Sequence, residues 1–280
     1  MPRSFTQTSD FLPRLRHALV RLSRAERAVA RVILDDPACV MSLSLSEMAE
    51  RSGVAEATVL RMARRLGLSG YQDMRLVIAA DRSTDLQTEA VATVSGADGA
   101  PGLTAAIHAT EALLDSAGVE RVAEALDKAS LVAIYGAGTS GLAGRYLAYR
   151  LTRMGVVAVF EEDTHYQVMG AVLLGAGTVA IAFSQTGSTV SVVTALTAAQ
   201  NAGALSVAVT RIRHSPLTTA ADVTLLTGAD ETPLLSGALP GVVSQLYVAD
   251  TIAVATGRRR PVEARSGIQA TAKLVANLKF

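Results

Sequence analysis

The chain has 280 residues and a mass of 29.1 kDa; half of it is apolar, 18% is charged, aromatics make up 4% and Trp is absent. That apolar content excludes intrinsic disorder, and the composition excludes a collagen-like or disulfide-stapled chain. The length suits two domains of unequal size. A lone cysteine, Cys39, leaves no internal disulfide and points to a reducing compartment. The opening MPRSFTQTSD lacks the apolar core of a signal peptide. The longest uncharged apolar stretch, 168–183, is interrupted by Gly170, Gly175 and Gly177 and falls short of the roughly 20 residues a bilayer requires. The expectation is a soluble, cytoplasmic protein with no membrane partner.

The net charge of +1 hides an asymmetry. Residues 1–82 carry 13 Arg against 9 Asp or Glu, residues 83–257 carry 7 basic against 15 acidic, and residues 258–280 carry 6 basic against 1 acidic. A basic first segment on an acidic second one suggests that the first alone meets a polyanion. The stretch from Asp81 to Pro101 loses helical periodicity and gathers Ser, Thr, Asp and Gly, which marks residues 83–105 as a linker. The expected organisation is therefore 1–82, linker 83–105, a second domain over 106–257 and a basic, amphipathic tail over 258–280.

Residues 1–82 read as all-helical. Asp10 is placed to cap a helix over about 11–22, and Ser23-Arg-Ala-Glu26 and Ser44-Leu-Ser-Glu47 are capping-box sequences that start two more. Gly53 makes a tight turn into a helix from Glu56 to Leu66, with Gly67 as a left-handed cap. Two short helices joined through a Gly turn are the plan of a DNA-reading helix-turn-helix. In the second of them Val59, Met62, Ala63 and Leu66 form the core face, leaving Thr58, Arg61, Arg64 and Arg65 for phosphates and base edges.

Beyond residue 106, β-branched runs at 131–135, 156–160, 178–183, 205–210 and 223–226 alternate with Ala/Leu-rich helical stretches. Continuously apolar strands predict a parallel sheet covered on both faces, so the second domain is expected to be a doubly wound α/β fold of five strands. Ligands of such folds sit at the carboxyl ends of the strands. Gly136-Ala-Gly138-Thr139-Ser140-Gly141 follows the first strand and fits the dinucleotide fingerprint, with Glu161 and Glu162 after the second strand, so NAD binding is a serious rival. The loop Ser184-Gln-Thr186-Gly187-Ser188-Thr189 after the third strand tips the balance. Its four hydroxyls around one Gly, at a helix start, form a phosphate cradle that a dinucleotide site does not need.

The segment LSLSEMAERSGVAEATVLRMARRLGLSGYQDMRLVIA closely resembles the N-terminal domain of RpiR-type bacterial transcription regulators, through Gly53, Val54, Thr58, Val59, Arg61, Leu66, Gly67, Gly70 and Tyr71. Ala55 departs from it, standing where the family usually has a capping Ser, a loss of about 1 kcal/mol. Residues 131–256 resemble a SIS (sugar isomerase) domain, the phosphosugar-binding module of those regulators. Its two loops correspond to Gly136, Gly138 and Ser140, and to Ser184, Thr186, Gly187 and Thr189. Thr186 replaces a usual Ser, and Ser188 replaces a common acid. The resemblance implies an all-α helix-turn-helix domain followed by the α/β SIS domain, with double-stranded operator DNA and a sugar phosphate effector as partners. Since palindromic operators are read by two-fold oligomers, a homodimer or homotetramer is expected.

For isomerase chemistry the candidates are His165, Glu161, Glu162, Asp163 and Glu231. His165 reads equally as a sugar contact or as a capping or surface residue, and Glu231 as a sugar contact or a complement to a helix dipole. No metal-ligand spacing and no nucleophile elbow occur in the sequence, so the expectation is a sensor without turnover, metal or cofactor. The rivals are a sugar-phosphate ketose–aldose isomerase with a helical appendage and an NAD-binding Rossmann-type protein.

Overall fold

The structure, a computed structural model, describes residues 11–79, 81, 99–229 and 239–276. Asp10 and Glu231 lie outside the described residues. Two compact units divide after Gly99, the second comprising the described residues from 100 onward.

The first unit contains α1 (Phe11–Ala18), a short 3-10 turn at Leu19–Arg21, α2 (Arg24–Asp35), α3 (Pro37–Ser42), α4 (Leu45–Ser52), α5 (Glu56–Arg65) and α6 (71–79). Both expected capping boxes form: Ser23 with Glu26 starts α2, and Ser44 with Glu47 starts α4. The expected helix over 11–22 tightens to 3-10 in its last turn. Its first N–H groups, of Phe11 and Leu12, donate to the Asp81 carboxylate at 3.1 and 2.8 Å. This contact from the far end of the unit is not readable from local sequence. Phe11, Leu15, Ile33, Met48, Val59, Met62, Met74 and Ile78 are fully buried in one core.

The second unit runs α7 (Gly99–Leu113), α8 (Ser116–Lys128), β1 (Leu131–Gly136), α9 (Thr139–Arg153), β2 (Ala158–Phe160), α10 (Thr164–Ala171), β3 (Thr178–Phe183) and α11 (Val190–Asn201). It continues with β4 (Leu205–Thr210), α12 (Pro216–Thr219), β5 (Val223–Leu226), α13 (Leu239–Arg259) and α14 (Pro261–Ala276). The five strands are parallel in the order β2-β1-β3-β4-β5. Every strand lies where the apolar runs place it. Alternate side chains face two layers: Val132, Ile134, Val179, Ile181 and Val207 pack under α8, α9 and α13, while Ala180, Ala182 and Ala208 pack under α10, α11 and α12.

Two segments differ from expectation. Helix α7 begins at Gly99, inside the stretch read as linker, because its packing partner is distant in sequence. The Thr110 hydroxyl accepts the Gly228 N–H at 3.0 Å, and Gly228 lies so close to the Ala109 backbone that no Cβ fits there. The boundary at 258 also shifts: α13 runs through to Arg259, and the tail beyond it forms a helix, α14, that packs on the end of α9 with Gly267 against the Arg153 carbonyl and Ala264 buried. Helix α13 is long and apolar enough to cross a membrane by length and composition, but here it packs against α8 and α9 as a core helix.

Candidate functional site

In the first unit Gly53 adopts the left-handed conformation (φ 64°) and ends α4, so that α5 starts three residues later. Gly67, at φ 82°, closes α5, with the Leu68 N–H returning to the Ala63 carbonyl at 3.0 Å. Ala55 supplies no side-chain cap, as its missing hydroxyl requires. Val59, Met62 and Ala63 are buried, and Arg61 and Arg64 are exposed. The Arg61 guanidinium reaches the Thr58 hydroxyl at 3.5 Å, one turn earlier. These three side chains form a polar, cationic outer face suited to phosphate and base-edge recognition.

Arg65, the fourth residue of the expected DNA-contacting set, is exposed but also holds contacts within the unit. Its Nη1 donates to Glu26 Oε2 at 2.8 Å and its Nη2 to the Arg21 carbonyl at 2.8 Å, so the fork ties α5 to the start of α2. Glu26 is buried and also serves the Ser23 cap. Burial pushes its carboxyl up, but the Ser23 N–H and hydroxyl and the Arg65 guanidinium outweigh burial and hold it below the usual carboxylate range.

In the second unit the sheet changes direction at β1, which is flanked by β2 on one side and β3 on the other. Their carboxyl ends are the switch point where open α/β sheets bind ligands. Gly136, the last residue of β1, pairs with Phe183, the last of β3. The two loops singled out in the sequence therefore leave the sheet side by side. This order is not the 3-2-1-4-5-6 of a dinucleotide fold. The glycines of the first loop serve packing: a Cβ at Gly136 would crowd the Ser140 carbonyl at 3.1 Å, and one at Gly141 would meet the Phe160 ring at 3.2 Å. Gly138 turns the chain at φ 56°, leaving Ser140 buried in the first turn of α9 and Thr139 exposed.

In the second loop the Ser184 and Thr189 hydroxyls are bonded at 3.1 Å, and the Thr186 hydroxyl accepts the Ser188 N–H at 3.3 Å. Gly187 sits at φ 62° against Ser215, with its carbonyl accepting the Leu217 N–H at 3.0 Å. Helices α8, α10 and α12 are capped by Asp115, Asp163 and Ser215; α9 and α11, which open from the two loops, have no side-chain cap. The Thr189 hydroxyl stands at the cap position of α11 but is turned to Ser184 instead. With no side-chain cap at either start, the first turns of α9 and α11 present backbone N–H groups suited to an anion, beside the loop hydroxyls, although the Gly141 N–H returns to the Gly138 carbonyl at 3.1 Å.

One residue of this edge escaped the sequence reading. The Gln167 carboxamide, 2% exposed, accepts from the Gly136 N–H at 3.3 Å and donates to the Gly136 and Glu161 carbonyls at 2.9 and 2.8 Å. It fixes the end of β1, and nothing in the spacing of a Gln on an irregularly patterned helix signals that. His165 is exposed at the start of α10, on the same sheet edge one strand away, and its N–H donates to the Asp163 cap at 2.7 Å. Glu162 pairs with Arg145, and Glu161 accepts the Glu162 N–H at 2.9 Å.

The helical unit matches the helix-turn-helix domain of the rpiR family over residues 9–85, and the α/β unit matches the SIS domain over residues 125–255. The chain is similar throughout to the Vibrio vulnificus NanR protein, whose structure was solved in complex with ManNAc-6P. Identity is 32%, the match covers 96% of this chain and 99% of that one, and the TM-score is 0.86. An uncharacterised HTH-type transcriptional regulator of Caldanaerobacter subterraneus is 29% identical over 90% of this chain and 92% of its own length. The sugar isomerase domain of an RpiR transcription factor from Sphaerobacter thermophilus shares the fold of the α/β unit, at 19% identity and a TM-score of 0.52, over 61% of this chain and 94% of that one.

Proposed function

This chain belongs to the RpiR family of helix-turn-helix transcription regulators with a SIS domain, and from that premise we propose how its two units divide the work. It is a DNA-binding transcription regulator whose operator binding is modulated by a phosphosugar. Thr58, Arg61 and Arg64 on α5 meet operator DNA, while Arg65 braces the unit through Glu26. In the second unit Ser140, Ser184, Thr186 and Thr189, with the N–H groups opening α9 and α11, hold the effector's phosphate, and Gly136, Gly138 and Gly187 shape the loops. His165, and Glu231 in the segment before α13, remain candidates for the sugar end. The chain works as a homo-oligomer on a palindromic site, in the cytoplasm where that DNA is.

The observation that carries the effector site is the pairing of Gly136 with Phe183, which sets two uncapped helix starts and their hydroxyls at one sheet edge. The NanR relative contains ManNAc-6P, so N-acetylmannosamine 6-phosphate heads the effectors to test. Calorimetry with a panel of sugar phosphates and their dephosphorylated sugars is expected to show binding of phosphorylated members only. Equal binding of the free sugars would overturn a phosphate-centred site.

We read the SIS unit as a sensor rather than an isomerase. In support, Asp163 serves as the α10 cap and Glu162 pairs with Arg145, which gives these carboxylates structural employment. A ketose–aldose turnover assay on the same panel tests this reading, and turnover would contradict it.

A further inference from the structure

Among the described residues two buried amide nitrogens, Gln185 Nε2 and Gln245 Nε2, have no hydrogen-bond partner, the first of them within the second proposed phosphate loop. Gln185 belongs to the second loop; its backbone carbonyl accepts from the Arg211 N–H at 3.3 Å, and its Oε1 accepts from the Thr227 hydroxyl at 3.5 Å. Gln245 is 2% exposed and lies on the buried face of α13, whose next turns present Val248, Ala249 and Ile252 to the core. An apolar residue there would be cheaper, since a buried carboxamide with an unmade bond destabilises the fold.

The register of α13 against α9 shows where this amide sits. The Tyr146 hydroxyl donates to Asp250 at 2.7 Å, Arg150 pairs with Asp250, and a Cβ on Gly257 would stand 3.1 Å from the Met154 sulfur. Residues 146 and 154 of α9 thus lie beside 250 and 257 of α13, and the two helices run parallel from the carboxyl edge of the sheet. At equal rise per residue these contacts place Gln245 level with residues 141–145, the first turns of α9 just after Ser140. One turn earlier on α13, Gly241 approaches Gln185 so closely that a Cβ would be 3.2 Å from Nε2. The first turns of α13 therefore bring Gln245 to the height of the first turns of α9, which open from the Ser140 loop, and Gly241 against the Ser184–Thr189 loop.

From this juxtaposition we infer that Gln245 is a specificity-determining residue: its carboxamide hydrogen-bonds an oxygen of the sugar portion of the ligand whose phosphate the two loops hold. This rests on the phosphosugar reading above and adds to it a selector for hydroxyl or carbonyl oxygens beyond the phosphate.

The test is Gln245→Leu in the full chain, a change that keeps the side chain's approximate volume and removes its polar end. Thermal unfolding without ligand should show a midpoint equal to or above that of the wild type. N-acetylmannosamine 6-phosphate and other hexose 6-phosphates should bind about tenfold more weakly, whereas inorganic phosphate, measured by competition, should bind unchanged. A variant that binds every sugar phosphate as the wild type does overturns the inference. So does one with a lowered midpoint and equally weakened phosphate and sugar phosphate, which would mark Gln245 as packing. A wild-type chain that binds no member of the panel would sink the phosphosugar reading, and this inference with it.

Discussion

Arg61 and Arg65 stand one turn apart on α5, yet their surroundings differ. Arg61 is exposed and its guanidinium reaches Thr58 on its own helix, while Arg65 spans to Glu26 and to the Arg21 carbonyl. Arg61→Ala should therefore leave unfolding unchanged and weaken operator binding, lowering the salt-dependence slope by about 1. Arg65→Ala should cost about 1 kcal/mol of stability, modest because the Arg65 side chain is 50% exposed. That cost has a pH signature. Glu26 has a lowered carboxyl pKa in the fold, so its ion pair contributes stability above the unfolded carboxylate value of about 4.3 and loses it as the pH falls through the folded value. The gap between wild type and Arg65→Ala should accordingly close in acid. Denaturation at pH 7 and below pH 4, with DNA titrations across a salt series, checks both variants; equal stability losses would contradict the division.

At the scale of elements, the Ser184–Thr189 loop depends on one backbone conformation. Gly187 holds φ 62° and lies against Ser215, so a methyl group there meets both torsional strain and the Ser215 side chain. Gly187→Ala should destabilise the chain by about 2 kcal/mol and abolish sugar-phosphate binding, read by denaturation and calorimetry; retained affinity would show that the loop's shape is not what binds. The strands, both capping boxes and both hydroxyl loops were legible because each rests on neighbours in sequence: β-branched runs, Ser-x-x-Glu spacing, and hydroxyls clustered around a Gly. What stayed illegible depends on contacts across long separations. Asp81 caps a helix 70 residues away, Gly228 anchors α7 where composition suggested linker, Gln167 clamps Gly136, and Glu26 pairs with Arg65 across 39 residues. Ser and Thr at helix starts also read as ordinary caps; only the structure shows the Thr189 hydroxyl turned to Ser184, leaving α11 open.

For the whole molecule, regulation requires that the effector bind the two operator-binding states with different affinity, since a ligand indifferent to them shifts nothing. Coupling of this kind is reciprocal: whatever factor the sugar phosphate imposes on DNA affinity, DNA must impose on sugar-phosphate affinity. The decisive measurement is an anisotropy titration of labelled operator DNA with the full chain, with and without saturating N-acetylmannosamine 6-phosphate, repeated on the Ser184→Ala, Thr189→Ala double variant. Regulation through the paired loops predicts a change of at least about fivefold in operator affinity for the wild type, and no change for the double variant, which still binds DNA. A wild-type operator affinity indifferent to every phosphosugar that binds the chain, or an undiminished response in the double variant, would contradict it.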